Sequence, residues 1–199
     1  MKINSFYINE KKYMSKWIYI IFGLFCIGIT IGAVYCTCLN TSSSLSVNNF
    51  LTNFFSSFNA DIDKFSSFKN SAFNNLKFFI FIFLSSFVKP GVVFIGGCSI
   101  LKGFISGFTI ASFIKFYKAK GLLIYLCQLP SLLIFIPSFI FFCTYAIVFC
   151  INKHNTEKNK VKKFILLSFC CLTIFCITSF IDGYISTIFM KLLLPFITK

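Results

Sequence analysis

Apolar runs and polar interruptions alternate along this chain with a spacing set by the thickness of a bilayer. The run from Trp17 to Cys38 is 22 residues long, enough to cross roughly 30 Å of hydrocarbon at about 1.5 Å per residue. Later runs predict spans over 73–94, 98–117, 122–151 and 164–186. The expected fold class is all-α: a polytopic integral membrane protein of about five transmembrane helices. A single membrane domain covers 17–199, preceded by a cytoplasmic tail over 1–16. Between the first two spans, 39–72 opens on the Ser/Thr/Asn cluster Asn40–Ser44. Phe50, Phe54, Phe58, Ile62 and Phe65 then recur every three or four residues between polar ones. That period predicts an amphipathic helix, in one piece or two. Its apolar face suits the headgroup layer or, alternatively, a docking platform for an extracytoplasmic partner.

Glycine and proline punctuate the runs. Lys89-Pro90-Gly91 and Gly96-Gly97 predict a turn within 89–98, because proline removes a backbone donor and glycine loosens the chain. Pro130 and Pro137 interrupt the fourth run, which is expected to begin as a short outer helix or kinked turn before crossing. In the third span, Ser99, Gly103, Gly107 and Ala111 fall at every fourth position. On a helix they make one smooth stripe along which a second backbone can come close. Glycine costs about 1 kcal/mol against alanine in a helix interior, so two on one face indicate a packed contact. Gly28 and Gly32 give the first span a matching G-x-x-x-G as the candidate partner face.

Composition sharpens this reading. Hydrophobic residues make up 57% of the 199 and charged residues only 12%, against about 25% in soluble domains; mean hydropathy is +0.86. The net charge of +14 comes from 19 basic residues, every one a lysine. They cluster beside apolar runs, as topology signals and anionic-lipid contacts do, which points to membrane lipid rather than nucleic acid. Lysines before Trp17, and five more in 152–163, place the N-terminus and that loop in the cytoplasm and 39–72 outside. The first apolar run exceeds the roughly 7–15 residues of a signal-peptide core, and Tyr35 before Cys36 does not suit a lipoprotein cleavage box. An uncleaved helix is expected. The abundance of Phe, Ile, Asn and Lys reads as the codon bias of an AT-rich genome, so the 31 phenylalanines do not each call for a role.

Nine of the ten cysteines lie in or at the ends of apolar runs, where they serve as small hydrophobes. No histidine or second cysteine pair is spaced to complete a metal site, and His154 stands alone in a lysine-rich loop. Four polar residues in or beside the spans remain: Lys102, Lys115, Gln128 and Asp182. Ionisable residues at such positions mark functional sites. Counted from Phe164, Asp182 lies about 27 Å along its helix, at a depth similar to Lys115. Lys102 is expected near the opposite face, so Asp182 is expected either to pair with Lys115, and not with Lys102, or to reach water at the interface. Asp182 is the only acid in any span, so no second carboxylate there supports acid/base hydrolysis, and no Ser/His/Asp set or phosphate loop occurs. No catalytic residue, cofactor or metal is therefore expected.

Four blocks carry a family resemblance: N-N-L-K-F at 74–78, L-K-G-F-I-S-G-F-T at 101–109, Q-L-P-S-L-L-I-F-I-P-S at 128–138 and F-I-D-G-Y-I at 180–185. Together they resemble stage II sporulation protein M (SpoIIM), a family of five-span bacterial membrane proteins. Asp182 stands where the family more often has Glu, and a proline expected soon after it is displaced to Pro195. The resemblance implies a scaffold in endospore engulfment that holds two peptidoglycan-degrading partners, SpoIID and SpoIIP, at the septal membrane. Broken helices and intramembrane charges also suit a small transporter or channel. No inverted repeat is visible, and the residues do not fix an oligomeric state.

Overall fold

In a computed structural model, the chain is described over residues 2–59, 64–88, 90–151 and 158–197, with side chains over 13–53, 65–88, 90–151 and 160–192. Seven α-helices follow in order: α1 Lys2–Thr37, α2 Thr41–Asn59, α3 Lys64–Ser85, α4 Gly91–Leu126, α5 Leu129–Ile151, α6 Lys158–Phe180 and α7 Thr187–Ile197, with a π-helical turn Ile181–Ser186 joining the last two. No strand occurs among the described residues. Among the described residues, four stretches are long and apolar enough to cross a membrane: Tyr13–Thr37, Gly91–Leu126, Leu129–Ile151 and Lys160–Leu192. The fold is an all-α polytopic membrane protein. α3, polar toward Lys64 and apolar toward Ser85, packs among these four against α6, α4 and α5.

The register of the second and third spans differs from the expectation. α3 begins at Lys64, inside the segment read as extracytoplasmic, and ends at Ser85 rather than at 94. The turn takes in 86–88 and Pro90, and α4 starts at Gly91. Proline can sit at a helix start without losing a bond the helix needs, so Pro90 begins α4. Gly96 and Gly97 do not break the helix. They lie inside it, and Gly96 is buried with the space above it filled by Leu24 of α1. Lys89 lies outside the described residues, as do 152–157 of the lysine-rich loop. The tail is continuous with the first span, α1 running unbroken from Lys2.

At its far end α4 kinks. Lys118 has φ 52° and ψ −130°, a left-handed conformation uncommon for a residue with a Cβ. The chain doubles back so tightly that a Cβ on Gly121 would collide with the carbonyl of Phe113. Residues 119–126 thus form a short helix after the kink, where a short helix or a kinked turn is expected at the start of the fourth run. They seal a satellite cluster in which Phe113, Ile124, Leu51 of α2 and Met190 of α7 are buried together.

The main core surrounds α5. Phe139, Phe142, Cys143, Ala146 and Ile147 are fully buried. Aromatic rings connect the helices: Phe79 of α3 stacks on Phe142 at 4.8 Å, Phe149 on Phe164 of α6 at 4.1 Å, and Phe135 meets Phe175 at 5.0 Å. Such pairs add about 0.5–1.5 kcal/mol beyond the area they bury. Cys98, Cys143 and Cys171 are buried members of the same cluster.

α1 joins the bundle through α4, where the two helix backbones touch. A Cβ on Gly28 would strike the carbonyl of Ile100, one on Gly32 that of Phe104, one on Gly103 that of Phe25 and one on Gly107 that of Ile29. Each G-x-x-x-G therefore seats the opposing backbone. Ser99 extends the seam by donating its hydroxyl to the Ile21 carbonyl at 3.2 Å, and Ser112 sits 3.3 Å from the Cys36 sulfur. Ala111, partly buried, continues the stripe beside Ser112.

Substitution should separate these glycines by their surroundings. Gly103→Ala or Gly28→Ala should lower the melting temperature of the detergent-solubilised protein, because helices must move apart to admit the methyl. Gly97→Ala, with nothing within 4 Å of the new carbon, should be neutral or stabilising by about 0.5–1 kcal/mol through helix propensity. Equal melting temperatures for Gly97→Ala and Gly103→Ala would refute the seam.

Candidate functional site: a polar cluster inside the bundle

Asn75 of α3 comes from N-N-L-K-F and is buried. Its amide donates to the Ser179 hydroxyl of α6 at 3.0 Å, and its carbonyl oxygen accepts from the Lys102 ammonium of α4 at 3.4 Å. Ser179 in turn donates to the carbonyl of Phe175 at 2.8 Å. Lys102 comes from L-K-G-F-I-S-G-F-T, and its ammonium lies over two rings, 4.5 Å from Phe135 of α5 and 5.0 Å from Phe78 of α3. A cation over an aromatic face is attracted by the ring quadrupole, most strongly where water is excluded.

Asp182 supplies the negative charge. It lies in the π-helical turn, and its carboxylate accepts a short hydrogen bond from Ser131 of α5, a residue of Q-L-P-S. The carboxylate and the Lys102 ammonium lie within electrostatic range of each other. A π-turn inserts an extra residue into the helical register and is frequent at functional sites. Here it is accompanied by close packing, since a Cβ on Gly183 would overlap the backbone of Phe68 on α3. Thr187 donates across the turn to the Asp182 carbonyl at 3.4 Å. The buried Ser186 hydroxyl has no hydrogen-bond partner among the described residues.

The expected Asp182–Lys115 pair is not formed among the described residues, and the lysine that interacts electrostatically with Asp182 is Lys102. Lys115 instead donates to the Cys36 carbonyl of α1 at 2.9 Å, at the far end of the seam. The depth count failed at the start of α4. Measured from residue 98, Lys102 would be about 6 Å into the span; measured from Gly91 it is about 16 Å in, and its flexible stem carries the charge on toward Phe135. Gln128 stands at the turn before α5, where its carbonyl accepts from the Leu132 amide at 3.1 Å and lies 3.0 Å from the Ser131 hydroxyl.

Asn75, Ser131, Ser179 and the Phe135 ring are site residues that the sequence reading did not single out. Three of the four lie in blocks quoted for the family resemblance, and the signal available was a polar side chain within an otherwise apolar run. Of the proposed docking face, Phe50 on α2 and Phe65 on α3 are exposed. They belong to different helices, and Phe65 packs beside Phe68 at 6.4 Å. Phe54, Phe58 and Ile62 lie outside the described side chains.

The cluster is built from bonds between helices. It joins α3, α4, α5 and α6 at one level of the bundle. Asn75→Leu should destabilise the protein by about 1.5–3 kcal/mol, the range for hydrogen bonds to a charged group, whereas Lys115→Met at the end of the seam should cost less, because the Lys115 side chain is exposed and water can replace it at the Cys36 carbonyl. Thermal unfolding in detergent measures both. A loss from Lys115→Met as large as that from Asn75→Leu would contradict the assignment of Lys102 and Asn75 to the central site.

Comparison with known proteins agrees with the blocks that build this site. A model of the family "Stage II sporulation protein M" matches residues 21–187, a range that holds α3, α4, α5, all of α6 and the π-turn. No curated protein and no solved structure matches the chain. With most of its length matched, this multi-pass, sporulation-related membrane protein belongs to the stage II sporulation protein M family.

Proposed function

We propose that the protein is a membrane scaffold of the sporulation engulfment machinery, anchoring peptidoglycan hydrolases of the SpoIID and SpoIIP type at the septal membrane of the cell. The observation that carries this reading is the use made of the polar groups of the cluster. Asn75, Ser131, Ser179, Lys102 and Asp182 bind one another or neighbouring backbone across four helices. Membership of the family supplies the sporulation context. A rigid frame with its charges spent internally suits an anchor better than a reaction centre.

Lysines before Trp17 and in 152–163 support an orientation with the N-terminus in the cytoplasm. The end of the bundle holding Lys118, α2 and α7 then faces the peptidoglycan. α2 is pinned there through Leu51, which is buried, with Val47 packed beside it, while Phe50 points away and is 68% exposed. Phe50 is the described residue best placed to meet a hydrolase. A transporter or channel draws on the same intramembrane charges and π-turn, and ion flux from liposomes holding the purified protein would favour it.

The test is the localisation of a fluorescent hydrolase at the engulfing septum. Phe50→Ser should weaken recruitment at unchanged protein abundance, since a buried phenylalanine contributes about 1.5–3 kcal/mol. Leu51→Ser should instead detach α2 and lower abundance itself. Full recruitment by Phe50→Ser at normal abundance would remove Phe50 from the contact, and full recruitment in cells lacking the whole protein would remove the scaffold.

A further inference from the structure

A cavity of about 360 Å³ lies between α3 and α6. Phe68, Ala72, Leu76, Leu172 and Phe175 form its apolar walls, and Asn75 and Ser179 meet at its polar edge. Those two bind each other at 3.0 Å, and Asn75 also binds Lys102, so the cavity adjoins the polar cluster. The exposed rim includes Phe65, Phe73, Cys176 and one charged side chain, Lys69. Among the described residues no hydrogen bond or ion pair to Lys69 is formed.

The pocket is open on one side and its walls are mostly apolar, so left empty it forfeits the dispersion contacts of its lining. In a membrane the ready occupant is a hydrocarbon chain. A helix about 10 Å across would fill 360 Å³ within about one turn, so the space suits one flexible chain rather than a partner helix. The chemistry of α3 changes along its length in the same sense. Lys64–Ser71 carries Lys, Ser and Asn suited to headgroup depth, and Phe78–Leu84 is apolar throughout. Lys69 therefore stands where a lipid phosphate would lie, with the cavity leading inward from it.

We infer that the α3–α6 cavity binds an anionic phospholipid, with one acyl chain against Ala72, Leu76 and Phe175 and the phosphate at Lys69. Occupancy buttresses the Asn75–Ser179 bond and so couples lipid to the polar cluster. This site does not depend on the scaffold role. Its test uses the purified full-length protein in detergent, with phosphatidylglycerol or phosphatidylcholine added and thermal unfolding recorded.

Phosphatidylglycerol should raise the melting temperature more than phosphatidylcholine. Lys69→Gln should reduce the phosphatidylglycerol shift to that of phosphatidylcholine, and Ala72→Phe, which puts a ring into the path of the acyl chain, should reduce both shifts. Equal shifts by the two lipids in the unaltered protein, or a full shift retained by Ala72→Phe, would overturn the proposal. Should Ala72→Phe fail to fold, replacing Leu76 with photoreactive benzoylphenylalanine decides the matter in native membranes. A crosslink adding the mass of a phospholipid supports the site, and a crosslink to a protein overturns it.

Discussion

A lysine ammonium held inside hydrocarbon must be surrounded by protein, and most of this architecture can be traced to that requirement. A charge at the centre of a membrane helix costs about 2.5–3.5 kcal/mol even by the mildest scales. Lys102 avoids much of that cost through the carbonyl oxygen of Asn75, the faces of Phe78 and Phe135 and the nearby charge of Asp182. These partners come from α3, α5 and the end of α6, so satisfying one side chain fixes the positions of four helices. α1 takes no part in the cluster. It holds α4 through glycine-to-carbonyl contacts that place Lys102 against the correct neighbours.

The π-turn belongs to the same arrangement. The register change over Ile181–Ser186 presents Asp182 to Ser131 and packs Gly183 against the backbone of Phe68. Contact between α3 and the π-turn is possible only because residue 183 has no side chain. Along the same face of α3, which also carries Phe68, the lipid-sized cavity begins where Asn75 and Ser179 meet. A polar cluster, a backbone contact and a lipid cavity thus share the same few turns of α3.

Much of this was legible in the sequence. The four-residue spacing of Ser99, Gly103 and Gly107 and the G-x-x-x-G at Gly28 identified two faces that do meet, because small-residue spacing is a local property that survives without knowledge of depth. Depth itself was not legible. Gly96-Gly97 looked like a break but lies in a helix nucleated at Pro90, and an error of seven residues at the start of α4 moved Lys102 by about 10 Å. Phenylalanine was uninformative for a different reason: Phe139 is fully buried and Phe141 is 39% exposed, yet both sit in the same apolar run of a Phe-rich chain. Helix orientation, which composition does not encode, separates them.

The central claim is that Lys102 and Asp182 belong to one electrostatic unit, and a double-mutant cycle addresses it most directly. Unfolding free energies would be measured in one detergent for Lys102→Met, Asp182→Asn and the double variant. Residues in one network typically show interaction energies of about 0.5–3 kcal/mol. Removing either charge strands the other, so the double variant should lose clearly less stability than the sum of the two single losses. Strict additivity of the two losses would show that the charges act independently and would contradict the account.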